Sequence, residues 1–155
     1  MSRPHFSILL LTLVFLGCLW RPVATARGAK LTADTISVTV TGFRNRTGQL
    51  CVSLFSSPKG FPDKYKKAIR IVRCPIKGDR VPIKFAAVPA GEYSIAVLHD
   101  ENMNNKMDTS FFGIPKEGAG ASNNPKPRRG PPQFGDAKFR LKDKPVNLKI
   151  KLQYR

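Results

Sequence analysis

The sequence predicts an all-β domain: an antiparallel seven-stranded β-sandwich, immunoglobulin-like or transthyretin-like, with one long loop between strands five and six. Two observations predict it. Apolar and polar residues alternate in short runs along most of the chain, the two-residue period of a sheet with one buried face. After residue 30, no connection offers a helix long enough to cross over a parallel sheet, which disfavours an α/β fold.

In the first run Ile36, Val38 and Val40 alternate with Thr35, Ser37 and Thr39. Residues 42–48 read as a turn. Leu50, Val52 and Leu54 then form one face of a second strand, with Cys51, Ser53 and Phe55 on the other. Residues 56–67 contain proline, glycine and isolated aromatics, so they form a long connection with room for one helical turn. Its Phe61 and Tyr65 are expected to tuck against the sandwich edge. Residues 68–74 are the third strand, and Lys77-Gly78-Asp79 turns into the fourth, where Val81, Ile83 and Phe85 alternate with charged or small residues. Pro82 places that strand at a sheet edge, because proline has no N–H to give a ladder. A tight turn over residues 88–92 feeds the fifth strand, with Tyr93, Ile95 and Val97 on one face and Ser94, Ala96 and Leu98 on the other. The last strands cover residues 137–141 and 146–152, and their Lys138, Arg140, Lys149 and Lys151 make a solvated face.

The first 26 residues read as a secretion signal. Arg3 supplies the positive start, residues 8–19 the apolar stretch, and Ala24-Thr25-Ala26 the small-residue cleavage site. A membrane span takes about 20 apolar residues. This run is shorter and meets Arg21 and Pro22 at once. Residues 27–155 are then a single exported domain, periplasmic or extracellular, with no transmembrane span. A looser alternative reads Phe15-Leu16-Gly17-Cys18 as a lipobox, which makes the protein a lipoprotein acylated at Cys18.

Formal charge is +17 and falls to +15 on processing, because Arg3 and Arg21 go and no acid does. Such a surplus attracts anions over about 8 Å at physiological salt, so nucleic acid, acidic lipid headgroups and acidic polysaccharide all qualify on charge. Export, together with the lack of a long basic run, a stacking-aromatic motif or a groove-entering helix, sets nucleic acid aside. The bland alternative is a solvated face that keeps the protein soluble. Cys51 and Cys74 survive processing. In an oxidising compartment an even pair most simply means one disulfide, and the alternative is two small buried hydrophobes.

Residues 99–135 form the long loop and are the expected functional segment. Asp100, Asn102, Asn104, the carbonyl of Lys106, and Asp108 stand at positions one, three, five, seven and nine of a loop resembling the EF-hand calcium loop. Asn105 takes the sixth position, where glycine is usual, and Phe111 takes the twelfth, where a bidentate glutamate belongs. A Ca²⁺ site built this way is weak, with Kd roughly 10⁻⁴ to 10⁻³ M. The competing account is that Asp and Asn are turn formers here. Phe111, Phe112 and Ile114 imply that part of the loop is packed down. Lys126, Arg128 and Arg129 form a basic tip, solvated or in contact with an anion. His99, beside Asp100 and Glu101, is the one candidate general base, and no serine has a nucleophile-elbow context.

The runs GQLCVSLF (48–55), VPAGEYSIAVLHDEN (88–102), MDTSFFGIPKEGAGASNN (107–124) and GPPQFGDAKF (130–139) resemble, in order and spacing, an exported bacterial family. That family is domain of unknown function 2141, and the resemblance spans residues 36–154. It implies a transthyretin-like or carboxypeptidase-regulatory-like β-sandwich and brings no activity with it. The chain departs from the family at Asn105, where glycine is usual, and at Ala119 or Ala121, where a larger aromatic is usual. The expected function is a non-catalytic binding or structural module of the bacterial envelope. The alternative is a binder of anionic glycan or lipid headgroups through the basic face, and a hydrolase using His99 is third.

Overall fold

The computed structural model describes residues 33–126 and 130–155. The expected signal, Cys18, Arg128 and Arg129 lie outside the described residues. The described chain is all-β: β1 Ala33–Thr41, β2 Gln49–Phe55, β3 Arg70–Pro75, β4 Arg80–Pro89, β5 Gly91–Asp100, β6 Gly118–Ala121, β7 Phe139–Leu141 and β8 Val146–Lys151. One sheet has the order β4-β1-β8. The other runs β3-β2-β5-β6, with β7 also paired to β5.

Two expectations need correction. The strand count is eight, because β6 forms inside the long loop. Its sequence, Gly-Ala-Gly-Ala, has no apolar alternation and low β-propensity, so only the open edge of β5 at residues 96–99 makes it a strand. The ladders are also not all antiparallel, since β8 runs parallel to β1 from Ile36↔Val146 to Thr41↔Lys151. Alternation sets which side chains share a face, and it is blind to the direction of the partner strand. A smaller difference lies at Ala137, which ends a single helical turn, Phe134–Ala137, so the following strand starts at Phe139.

The inward faces follow the period. Ile36, Val38 and Val40 of β1 and Val81, Ile83 and Phe85 of β4 meet Leu50, Val52 and Leu54 of β2 and Tyr93, Ile95 and Val97 of β5 in one core. Pro82 lies on β4, an edge strand as expected. Phe61 of the long connection packs edge-on against Phe55 at 5.3 Å and Phe134 at 5.9 Å. The same connection holds one 3-10 turn, Tyr65–Lys67.

The expected disulfide is absent, and Cys51 and Cys74 are both free. Register gives the reason. Cys74 stands opposite Leu50, while Cys51 stands opposite Arg73. Opposed residues share a face and successive residues alternate, so Cys74 leans on the core with Leu50 and Cys51 projects from the other side of the sheet. Burial and the neighbouring Asp100 push the Cys51 thiol up to about 11, which keeps it protonated and unreactive at neutral pH. Thiol titration in denaturant after non-reducing purification is expected to find both cysteines free, and the wild-type unfolding midpoint is expected to be unchanged by reductant. A single crosslinked species would overturn this assignment.

Candidate functional site

The end of β5 carries a polar cluster that organises the loop after it. Asp100 is fully buried. Its Oδ1 accepts the Asn104 N–H at 3.0 Å, and its Oδ2 accepts the Asn105 N–H at 2.9 Å and the Gln49 side-chain amide at 2.8 Å. These bonds wrap the chain around one carboxylate. Met103 and Asn105 take left-handed backbone, φ 59° and 61°, and Asn105 thereby does the conformational work expected of a glycine. Asn102 Oδ1 accepts the Asn104 N–H at 3.1 Å, and Asn104 Oδ1 accepts the Lys106 N–H at 2.7 Å. The amide groups of Asn102 and Asn104 donate to Asp108 at 2.6 and 3.0 Å.

Glu117, buried just before β6, ties the ends of the loop together. One carboxylate oxygen accepts the Glu101 N–H at 2.8 Å and the other the Asp108 N–H at 3.0 Å. The loop residues named from sequence are therefore brought together, and their side-chain oxygens spend themselves on N–H donors. Among the described residues no group of three or more His, Cys, Asp or Glu side chains is placed to hold a metal ion.

His99 lies beneath this cluster with no exposed surface. Its Nε2 is 2.8 Å from the Thr47 carbonyl oxygen, which can only accept, so Nε2 carries the proton. Nδ1 then accepts from the Tyr154 hydroxyl at 2.7 Å. Both ring nitrogens are engaged inside the fold, where they meet no open space. Arg44 closes the cluster from outside. It forms a two-pronged pair with Glu101 at 2.7 and 2.9 Å, donates to the Lys116 carbonyl at 2.9 Å, and lies over the Tyr154 ring at 4.8 Å.

The Arg44 hydrogen bond holds the Glu101 carboxyl below its ordinary 4.5. A carboxyl whose pKa is lower folded than unfolded stabilises above its unfolded value, and that contribution fades as pH falls through the folded value. The stability gap between wild type and Glu101→Gln is thus expected to be full at neutral pH and to shrink as pH drops below about 4.5. Urea midpoints across that range measure it, and a gap independent of pH would refute it.

A groove lies on the outer face of the five-stranded sheet, on the side opposite the core. Its floor is mostly small side chains, Cys51 and Ser53 from β2, Ala96 from β5, and Ala119 and Ala121 from β6, with the larger Ile71 of β3 and Leu98 of β5 on the same face. Met107, Phe112 and Ile114 wall one part of it, and Pro62, Pro125 and Pro131 another. Arg73, Lys106, Lys126, Lys151 and Arg155 also line it, together with the carboxylates Asp63 and Asp136, and the volume is about 800 Å³. That is within the usual range for small-molecule sites, which are largely apolar with few polar groups. An apolar group bearing a negative end matches the surplus of cations over acids in this lining.

Sequence reasoning missed this groove. Its floor residues on β2 and β5 read locally as the second face of ordinary strands, those of β6 read as loop, and its walls come from three separate connections. Lys126 lines the groove. The expectation that Phe111, Phe112 and Ile114 are packed down is overturned, since they are 98%, 85% and 50% exposed. The tight turn at residues 110–114 turns the two rings outward.

A family model described as "Uncharacterized protein conserved in bacteria (DUF2141)" matches residues 38–149. No curated protein and no solved structure matches the chain.

Proposed function

The chain belongs to the uncharacterized bacterial family DUF2141, and from that premise we propose that it is an exported, non-catalytic binding module of the bacterial envelope. The scaffold is an immunoglobulin-like or transthyretin-like sandwich. The groove on its outer face is the ligand site, and the ligand is a small amphiphile with an apolar body and an anionic end. The observation that carries the reading is the groove itself, floored mostly by small residues, walled by apolar ones and lined by five cations against two carboxylates. The enclosure of His99, with both nitrogens engaged, supports binding over catalysis. Export rests on the leader-like pattern of residues 1–26.

The test is titration with a fluorescent long-chain carboxylate, dansyl-undecanoic acid. Saturable binding is expected, weakened about tenfold for the uncharged alcohol analogue, as loss of one charge-assisted contact predicts. Ala119 pairs with Leu98 on the groove side of the sheet, so Ala119→Phe projects a ring into the groove. That variant is expected to stay folded and to lose the probe. No saturable binding, or equal binding by Ala119→Phe, would remove the groove from consideration. Retention on acidic polysaccharide that Ala119→Phe leaves intact would move the function to the basic face.

A further inference from the structure

Residues 109–115 form a short finger with an apolar tip. Its base is closed by the Thr109↔Pro115 bridge and by the Lys116 N–H donating to the Asp108 carbonyl at 2.8 Å. Within it, the Ser110 N–H donates to the Ile114 carbonyl at 2.8 Å and the Gly113 N–H to the Ser110 carbonyl at 2.9 Å. The Ser110 hydroxyl accepts the Ile114 N–H at 3.2 Å, and Gly113 supplies the left-handed turn at φ 74°. Glu117 and Arg44 brace the base through the Asp108 N–H and the Lys116 carbonyl. The backbone is thus held, and what it holds out is apolar. Phe111 and Phe112 stand edge to face at 5.5 Å, 98% and 85% exposed.

A pair of neighbouring phenylalanines left in water on a braced turn marks a contact surface, since a loose turn relieves such exposure by collapse. Phe112 and Ile114 line the groove mouth, whereas Phe111 is not among the groove residues. A ligand in the groove therefore leaves Phe111 uncovered. The charge around the finger selects the partner. No acid occurs from Thr109 to Lys116, the flanking Asp108 and Glu117 carboxylates are turned to N–H donors of the loop, and Lys106, Lys116 and Lys126 are exposed nearby on the chain or the groove rim. A second copy of a chain of charge +17 is repelled by this surface.

We propose that the finger docks the protein on a bilayer that carries anionic lipid. Phe111 and Phe112 enter the boundary between headgroups and acyl chains, and the lysines lie against the headgroups. Two adjacent rings reach that boundary without a helix, and each buried ring and each nearby cation adds to binding. Docking in this way turns the groove mouth toward the lipid. The proposal rests on the finger alone and holds whether or not the groove takes an amphiphile.

The experiment is co-sedimentation of the protein, as the cell processes it, with vesicles of phosphatidylcholine containing about a third phosphatidylglycerol at about 0.15 M salt. Binding to these vesicles and far weaker binding to pure phosphatidylcholine are expected. Phe111→Ser with Phe112→Ser is expected to lower the partition coefficient about tenfold or more at unchanged melting temperature. Phe112→Trp reports insertion by a blue shift of emission, because the chain's single Trp lies at position 20 in the expected leader. Failure of the wild type to sediment would overturn the proposal. So would equal binding by the double serine variant, which assigns adhesion to charge or to a retained leader. A blue shift that follows protein concentration without vesicles would give the finger to self-association and overturn it too.

Discussion

Gly48→Ala is expected to cost about 3–5 kcal/mol of stability, the sum of left-handed strain and a backbone collision. Gly48 sits at φ +75°, just before β2. A Cβ there stands 2.1 Å from the Asp100 carbonyl oxygen and 2.6 Å from Glu101 Cα. Nothing at that contact is a flexible side-chain end, so the end of β5 has to move. The Gln49↔Asp100 pairing and the Gln49 bond to the Asp100 carboxylate go with it. Gly78 is the control, because a Cβ there meets nothing within 4 Å. Gly78→Ala is expected to stay within about 1 kcal/mol of wild type. Urea denaturation of both variants measures the contrast, and a Gly48→Ala midpoint equal to that of Gly78→Ala would show that this approach of strands is not tight.

Asp100→Ala comes next, with an expected loss of about 3–5 kcal/mol, or roughly 10 °C or more in Tm for a domain of this size. The truncation strands the Asn105 N–H and takes the carboxylate acceptor from the Asn104 N–H and the Gln49 amide, which keep only the side-chain oxygens of Asn102 and Asn105. Leaving a buried donor unpaired costs about 1–3 kcal/mol. Asp100→Asn keeps the shape but turns one amide NH₂ against these donors, so it is expected to fall between Ala and wild type. The same loss is expected in EDTA and in a few millimolar calcium, because the loop's oxygens are occupied by N–H groups. A calcium-selective rise in Tm that Asp100→Ala removes would instead make the loop a cation site and require its amides to turn over. A loss under about 1 kcal/mol would mean that water replaces the carboxylate at little cost.

These two positions illustrate where sequence and structure part. The importance of the segment after Leu98 was legible, because Asp100, Asn102, Asn104 and Asp108 repeat at alternate positions in a chain otherwise rich in cations. Their partners were not. Gln49, which bonds Asp100, comes from a distant part of the chain, as do Arg44 on the neighbouring Glu101 and Thr47 and Tyr154 on His99, and nothing in their local sequence marks them. The same holds for Glu117, which the fold directs to two backbone N–H groups.

By itself the sequence determined the all-β class, the family, the inward faces of the main strands and the edge position of Pro82. Each of these follows from a period of two, from motif order or from the missing N–H of proline, which are properties of neighbouring residues. Tertiary structure alone decided that β8 runs parallel to β1, that Gly118–Ala121 is a strand, and that Cys51 and Cys74 lie on opposite faces. It also decided that Phe111 and Phe112 face outward and that small residues from three strands floor a groove. All of these depend on register and on which edge a segment meets. A local pattern leaves both undetermined, because several pairings bury the same alternating residues equally well.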